Sequence, residues 1–137
     1  MGKKILMKSR IKPNTFIGGI GATINTPTLL ANTLGISVSK IKSLRVVGND
    51  IEFAVVGSNY NLRMGAFDTN KNITFLNDEH GKISFIDASC FRNAKNIEYI
   101  NIPGATRIRL WQTFEGAENL KTITATNLNQ VTDGSLS

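Results

Sequence analysis

The stretch CFRNAKNIEYINIP, residues 90–103, has two near copies in the same chain: AFDTNKNITFLND at 66–78 and TFEGAENLKTITATN at 113–127. Each copy has a Phe, then a Lys-Asn or Glu-Asn pair, then Ile or Leu, then another Ile or Leu three residues on. Phe67, Phe91 and Phe114 align with steps of 24 and 23 residues. Ile73, Ile97 and Leu120 align in the same way, as do Leu76, Ile100 and Ile123. A further series, Leu62, Phe85, Ile108 and Val131, keeps a step of 23. Self-similarity at this period is the signature of stacked supersecondary units, none of which can bury its apolar row alone.

The repeats predict a solenoid over residues 60–137, with the aligned Ile and Leu residues stacked inside and the three Phe residues in a column on the opposite wall. Parallel strands of successive coils would lie about 4.8 Å apart. Side chains alternate along a strand. The residues between the inward ones therefore form outward rows: Phe75, Tyr99 and Thr122 in one, and Asn77, Asn101 and Thr124 in the next.

Upstream the pattern changes. Residues 26–35, TPTLLANTLG, carry helix punctuation: Thr26 to cap, Pro27 at the first position and Gly35 to stop. Leu29, Leu30 and Leu34 are expected to form its apolar face. Residues 41–56 read as a β-hairpin turning at Gly48-Asn49-Asp50. Helix and hairpin, residues 26–59, are expected to cap the open end of the stack, since an uncapped solenoid exposes its core.

The 137 residues carry a formal charge of +6, unevenly spread. Residues 1–49 hold eight bases and no acid; the remainder holds eight bases and ten acids. Residues 1–25, with Lys3, Lys4, Lys8, Arg10, Lys12 and the Gly-rich run FIGGIGATIN, read as an extended anchoring arm. Such an arm meets an acidic protein surface, an anionic membrane or nucleic acid. Phe16 is its one aromatic residue. Base-stacking modules carry more, so nucleic acid is disfavoured as the partner. No run approaches the ~18 apolar residues of a membrane span. The start of the chain lacks the ~7–15-residue apolar run of an export signal.

The inventory for chemistry is thin. His80, the one histidine, sits in the turn-like NDEHGK; Cys90, the one cysteine, occupies a small slot before Phe91 and reads as a buried thiol. GGIGAT at 18–23 lacks the Lys-Ser/Thr of a phosphate loop and the third glycine of a dinucleotide fingerprint. SVSK at 37–40 has no accompanying SDN or KTG. Asp68, Asp78, Glu79 and Asp87 lack metal-loop spacing. Trp111, at the position of Ala88 one coil earlier, is expected in the core or at a partner contact. The chain therefore reads as non-enzymatic, with no catalytic residue, metal or cofactor site and no small-molecule substrate.

FIDASCFRNAKNIEYINIPGATRI, residues 85–108, resembles the BspA-like leucine-rich repeat. The resemblance lies in Phe91, Ile97, the Ile100-Asn101-Ile102-Pro103 strand and Ile108, and covers residues of about 60–137. The first copy departs from it with Asp78-Glu79 and the third with Ala125-Thr126 in place of Ile-Pro, which marks the end units as irregular or capping. Residues 1–59 show no such likeness. The resemblance implies a leucine-rich-repeat-like solenoid and a bacterial surface adhesion or protein-interaction module. The basic arm and the missing export signal instead favour a structural component of a bacteriophage particle, a fibre, tail or capsid-attached protein, found in the virion. Its expected partners are other virion proteins or further copies of itself in a homo-oligomer. The expected contact residues are Lys3, Lys4, Lys8, Arg10, Lys12 and Phe16 in the arm, and Phe75, Tyr99, Asn101 and Thr122 on the repeats.

Overall fold

A computed structural model describes residues 24–133. The arm residues Lys3, Lys4, Lys8, Arg10, Lys12 and Phe16 lie outside the described residues. The chain is mainly β, with one short helix, and its strands stack into a β-solenoid of about four turns.

The first element is α1, Pro27–Leu34. The Thr26 side chain accepts the Leu29 N–H at 3.1 Å, Pro27 opens the helix, and Gly35 ends it in the left-handed conformation at φ 76°. Its buried face is Leu30, Ala31 and Leu34, whereas Leu29, expected inside, is 42% exposed. Successive residues on a helix lie about 100° apart, so Leu29 and Ala31 flank Leu30 on opposite sides, and Leu34 lies on the Ala31 side, which is the side that faces the core. Ile24, placed in the arm by the sequence reading, is buried in this same core.

A single 3₁₀ turn, Val38–Lys40, leads into β1, Ile41–Val47, which pairs antiparallel with β2, Asp50–Val55. The connection is Gly48-Asn49, with Gly48 at φ 60°, a backbone that glycine adopts without strain. The hairpin is more than a cap, because β2 also pairs in parallel with β4, Phe75–Asp78. It thereby supplies the first rung of the stack.

Two sheets follow the coils. One runs β1-β2-β4-β6-β8, with β6 at Tyr99–Asn101 and β8 at Thr122–Thr124. The other runs β3-β5-β7-β9: Tyr60–Leu62, Ile83–Ile86, Arg107–Arg109 and Gln130–Thr132. In the first sheet Ile51, Leu76, Ile100 and Ile123 are in register, as the sequence reading expects for the last three. In the second, Leu62 pairs with Ile86, Ile86 with Ile108, and Ile108 with Val131. Ile86 therefore takes the inward place expected of Phe85. Phe85 turns outward and is buried beneath the Arg107 guanidinium, 3.9 Å from its ring centroid.

The third wall is a column of turns rather than a sheet. Phe67, Phe91 and Phe114 stack there, with centroids 5.3 and 6.0 Å apart and planes within 3° and 8° of parallel. Backbone amides link each coil to the next: Gly65, Phe67 and Thr69 donate to the Ala88, Cys90 and Arg92 carbonyls at 3.0, 2.7 and 2.7 Å. One coil on, Ser89, Phe91 and Asn93 donate to Trp111, Thr113 and Glu115 at 3.0, 2.9 and 2.7 Å. The turns need left-handed residues at two aligned places: Gly65, Ser89 and Gln112 in one column, Thr69, Asn93 and Gly116 in the other, all at φ between 55° and 77°.

Candidate interaction surface

The outward side of the five-stranded sheet begins with a polar ladder. Arg45 on β1 forms an ion pair with Glu52 on β2. Glu52 accepts the Asn77 side-chain amide at 2.6 Å, and Asn77 accepts that of Asn101 at 2.6 Å. The hairpin register sets Arg45 opposite Glu52, and the parallel registers set Glu52, Asn77 and Asn101 in line. Glu52, Asn77, Asn101 and Thr124 are all buried. These bonds satisfy groups on Glu52, Asn77 and Asn101 that would otherwise lose about 1–3 kcal/mol each on burial, whereas Thr124 Oγ1 has no hydrogen-bond partner.

This alters the expected contact surface. Phe75, Tyr99 and Thr122 do form one row, in register across β4, β6 and β8. Phe75, however, is fully buried, between cross-strand neighbours Asp50 and Tyr99, while Tyr99 and Thr122 are half-buried. Phe75 and Asn101 are therefore structural members of the rung and present no free surface. Tyr99 is approached by Lys121, whose ammonium lies 5.8 Å from the ring centroid and 3.7 Å from the Glu98 carboxylate.

A second cross-coil device sits beside the Phe column. Arg92 binds Asp68 of the preceding coil through two bonds, 3.1 and 2.6 Å, and Gln112 of the following coil at 3.2 Å. The carboxylate raises the pKa of the already basic guanidinium.

Cys90 is fully buried, its thiol 3.1 Å from the Arg63 carbonyl, and burial pushes it up to about 12. His80 is exposed in the turn between β4 and β5. Asp78 at the end of β4 is fully buried. Its Oδ2 accepts the Ile83 amide at 2.9 Å, closing the turn, while Oδ1 has no hydrogen-bond partner. Burial, opposed by backbone amides and His80, raises this carboxyl to about 6. Tyr60, whose buried hydroxyl also has no hydrogen-bond partner, is raised well above the ordinary phenol range, first by burial and then by the Asp78 charge. Among the described residues no group of three or more His, Cys, Asp or Glu could hold a metal ion. Among the same residues no helix is long and apolar enough to cross a membrane.

One apolar cavity was not anticipated from sequence. At the end of the last coil a cavity of about 240 Å³ is lined by Ile108, Leu110, Phe114, Ile123, Ala125, Leu128 and Val131. Phe114, Leu120 and Ile123 are half-buried, where their counterparts one coil earlier, Phe91, Ile97 and Ile100, are fully buried. Trp111, next in sequence to the lining residue Leu110, is exposed. Among the described residues no further coil packs on this face. No family model, curated protein or solved structure matches the chain.

Proposed function

We propose that this chain is a non-enzymatic structural protein of a bacteriophage particle, a fibre, tail or capsid-attached component, docked through its basic N-terminal segment. The observation that carries the reading is the charge division: eight bases and no acid over residues 1–49, followed by a nearly neutral repeat body. A basic segment speeds docking on an acidic protein surface, and its apolar residues Ile5, Leu6, Ile11, Phe16 and Ile17 would hold it there. The body suits a spacer or scaffold. Its coils are tied by backbone ladders on three walls, by Arg92 and by the Glu52–Asn77–Asn101 ladder.

The test is mass spectrometry of purified particles, followed by co-assembly of a chain lacking residues 1–23. The cut spares Ile24, which is buried in the core, and Thr26, which caps α1. The truncated protein is expected to melt like the full chain and to fail to incorporate. Incorporation at the full level overturns the anchoring role, and absence of the chain from particles overturns the reading.

A second reading, a bacterial surface adhesion or protein-interaction module, draws support from the BspA-like resemblance of residues 85–108. Surface labelling of intact cells separates the two.

A further inference from the structure

Charged residues that face each other across adjacent coils carry opposite signs over most of this stack. Asp68 faces Arg92, Arg92 faces Glu115, Asp87 faces Arg109, and Glu98 faces Lys121. Lys71 and Lys95 break the pattern. They hold the same place on the turn wall, because Asn96 donates to the Lys71 carbonyl as Asn119 does to that of Lys95. Neighbouring coils lie about 4.8 Å apart, and like charges set opposite each other at that spacing repel. Both lysines are exposed, and among the described residues neither forms an ion pair.

This pair borders a groove of about 250 Å³ lined by Thr69, Lys71, Asn93, Lys95, Gly116 and Glu118. The groove crosses three coils. Thr69, Asn93 and Gly116 contribute one column, and Lys71, Lys95 and Glu118 the other. Gly116 lets Asn93 lie close against it, since a Cβ there would collide with Asn93 Oδ1. Every lining side chain is polar, with positive charge on the first two coils and negative charge on the third.

We propose that this groove binds a sugar residue bearing one carboxylate. The carboxylate bridges the Lys71 and Lys95 ammonium groups through charge-assisted hydrogen bonds and offsets their repulsion. The ring hydroxyls donate to the Glu118 carboxylate and exchange hydrogen bonds with the Asn93 amide. The groove is smaller than the ~300–1,000 Å³ pockets of drug-sized ligands, which suits a single residue. An acidic peptide fits less well, because main-chain recognition needs open backbone groups and this wall has already committed its own. The Thr69 and Asn93 amides donate to the Arg92 and Glu115 carbonyls, both at 2.7 Å, and the Lys71 and Lys95 carbonyls accept Asn96 and Asn119. The site goes beyond the particle reading and does not depend on it.

The experiment is a titration of the isotope-labelled 137-residue chain with glucuronate, followed by amide NMR shifts. Saturable shifts at the groove residues are expected with a Kd of about 1 mM, as a few polar contacts give. The affinity falls with added salt. Glucose, with the hydroxyls and no charge, and inorganic phosphate, with the charge and no ring, are each expected to bind roughly tenfold or more weakly. Lys71→Gln and Lys95→Gln each replace an exposed side chain and are expected to weaken glucuronate roughly tenfold with the remaining spectrum unchanged. Lys121→Gln, outside the groove, is expected to bind like the parent. Absence of saturable shifts overturns the proposal. So does binding of glucose, phosphate or an Asp-rich peptide as tightly as glucuronate, or an equal loss in Lys121→Gln.

Discussion

The Asn96 side-chain amide donates to the backbone carbonyl of Lys71, one coil earlier, at 2.7 Å, and Asn119 does the same to Lys95 at 2.9 Å. The asparagine of the second and third pairs, Lys95-Asn96 and Glu118-Asn119, is thus the clip that holds its coil to the one before. An amide has the reach and the donor to do this, and a carboxylate of the same size does not. Asn96→Ala is expected to cost about 1 kcal/mol, and Asn96→Asp more, because two acceptors would then face each other. Urea melts of the two variants check the order; equal losses would remove the clip from the account.

Phe91 is fully buried between Phe67 and Phe114 in the stacked column. Phe91→Ala is expected to cost ~3–5 kcal/mol through lost contacts and the cavity left behind. His80→Ala, at an exposed turn, is expected to stay within about 0.5 kcal/mol of the parent. Denaturant unfolding of both decides the matter, and a larger loss at His80 contradicts a repeat core that sets stability.

Thr69 stands at φ 60° in the column whose last member is Gly116. A β-branched residue there carries about 1–2 kcal/mol of backbone strain. Glycine relieves it but adds about 0.4–1 kcal/mol of unfolded-chain entropy. Thr69→Gly is therefore expected to raise stability by about 0.5–1 kcal/mol, read as a higher urea midpoint at unchanged slope. A lower midpoint would show that the Thr69 hydroxyl, which donates to the Asp68 carbonyl at 2.6 Å, outweighs the strain.

Asp78 provides the pH test. Its carboxyl is raised to about 6, so the folded protein holds this proton more tightly than the unfolded chain does. The contribution to stability is then fully present below the ordinary carboxylate pKa of about 4 and is lost as pH rises to about 6. A shift of this size corresponds to a loss of about 3 kcal/mol over that window. Asp78→Asn keeps an oxygen for the Ile83 amide and removes the charge. It is expected to match the parent near pH 4, exceed it at neutral pH and show a flat profile between. An unchanged slope in the variant would assign the pH dependence to other groups.

Local chemistry made much of this protein legible in the sequence. Thr26, Pro27 and Gly35 bound α1 because capping and backbone freedom depend on neighbours a few residues away. Gly48-Asn49 turns the hairpin for the same reason. The repeat period implied the stacked Phe column and the aligned Ile and Leu rows, since identical units buried side by side present identical residues to one another.

Tertiary structure decided what depends on two coils at once. Phe85 and Ile86 are adjacent and both apolar, so only pairing with Leu62 and Ile108 settles which faces inward, and Arg107 then covers the other. The row of Phe75, Tyr99 and Thr122 is evident from the repeats, yet the burial of Phe75 is not, because alternation along a strand distinguishes two faces without saying which is covered. Leu29 lost its place to Ala31 through the direction of the core. The partial exposure of Phe114, Leu120 and Ile123 among the described residues follows from the same physics: each coil is apolar on both of its stacking sides, and burial depends on what packs there.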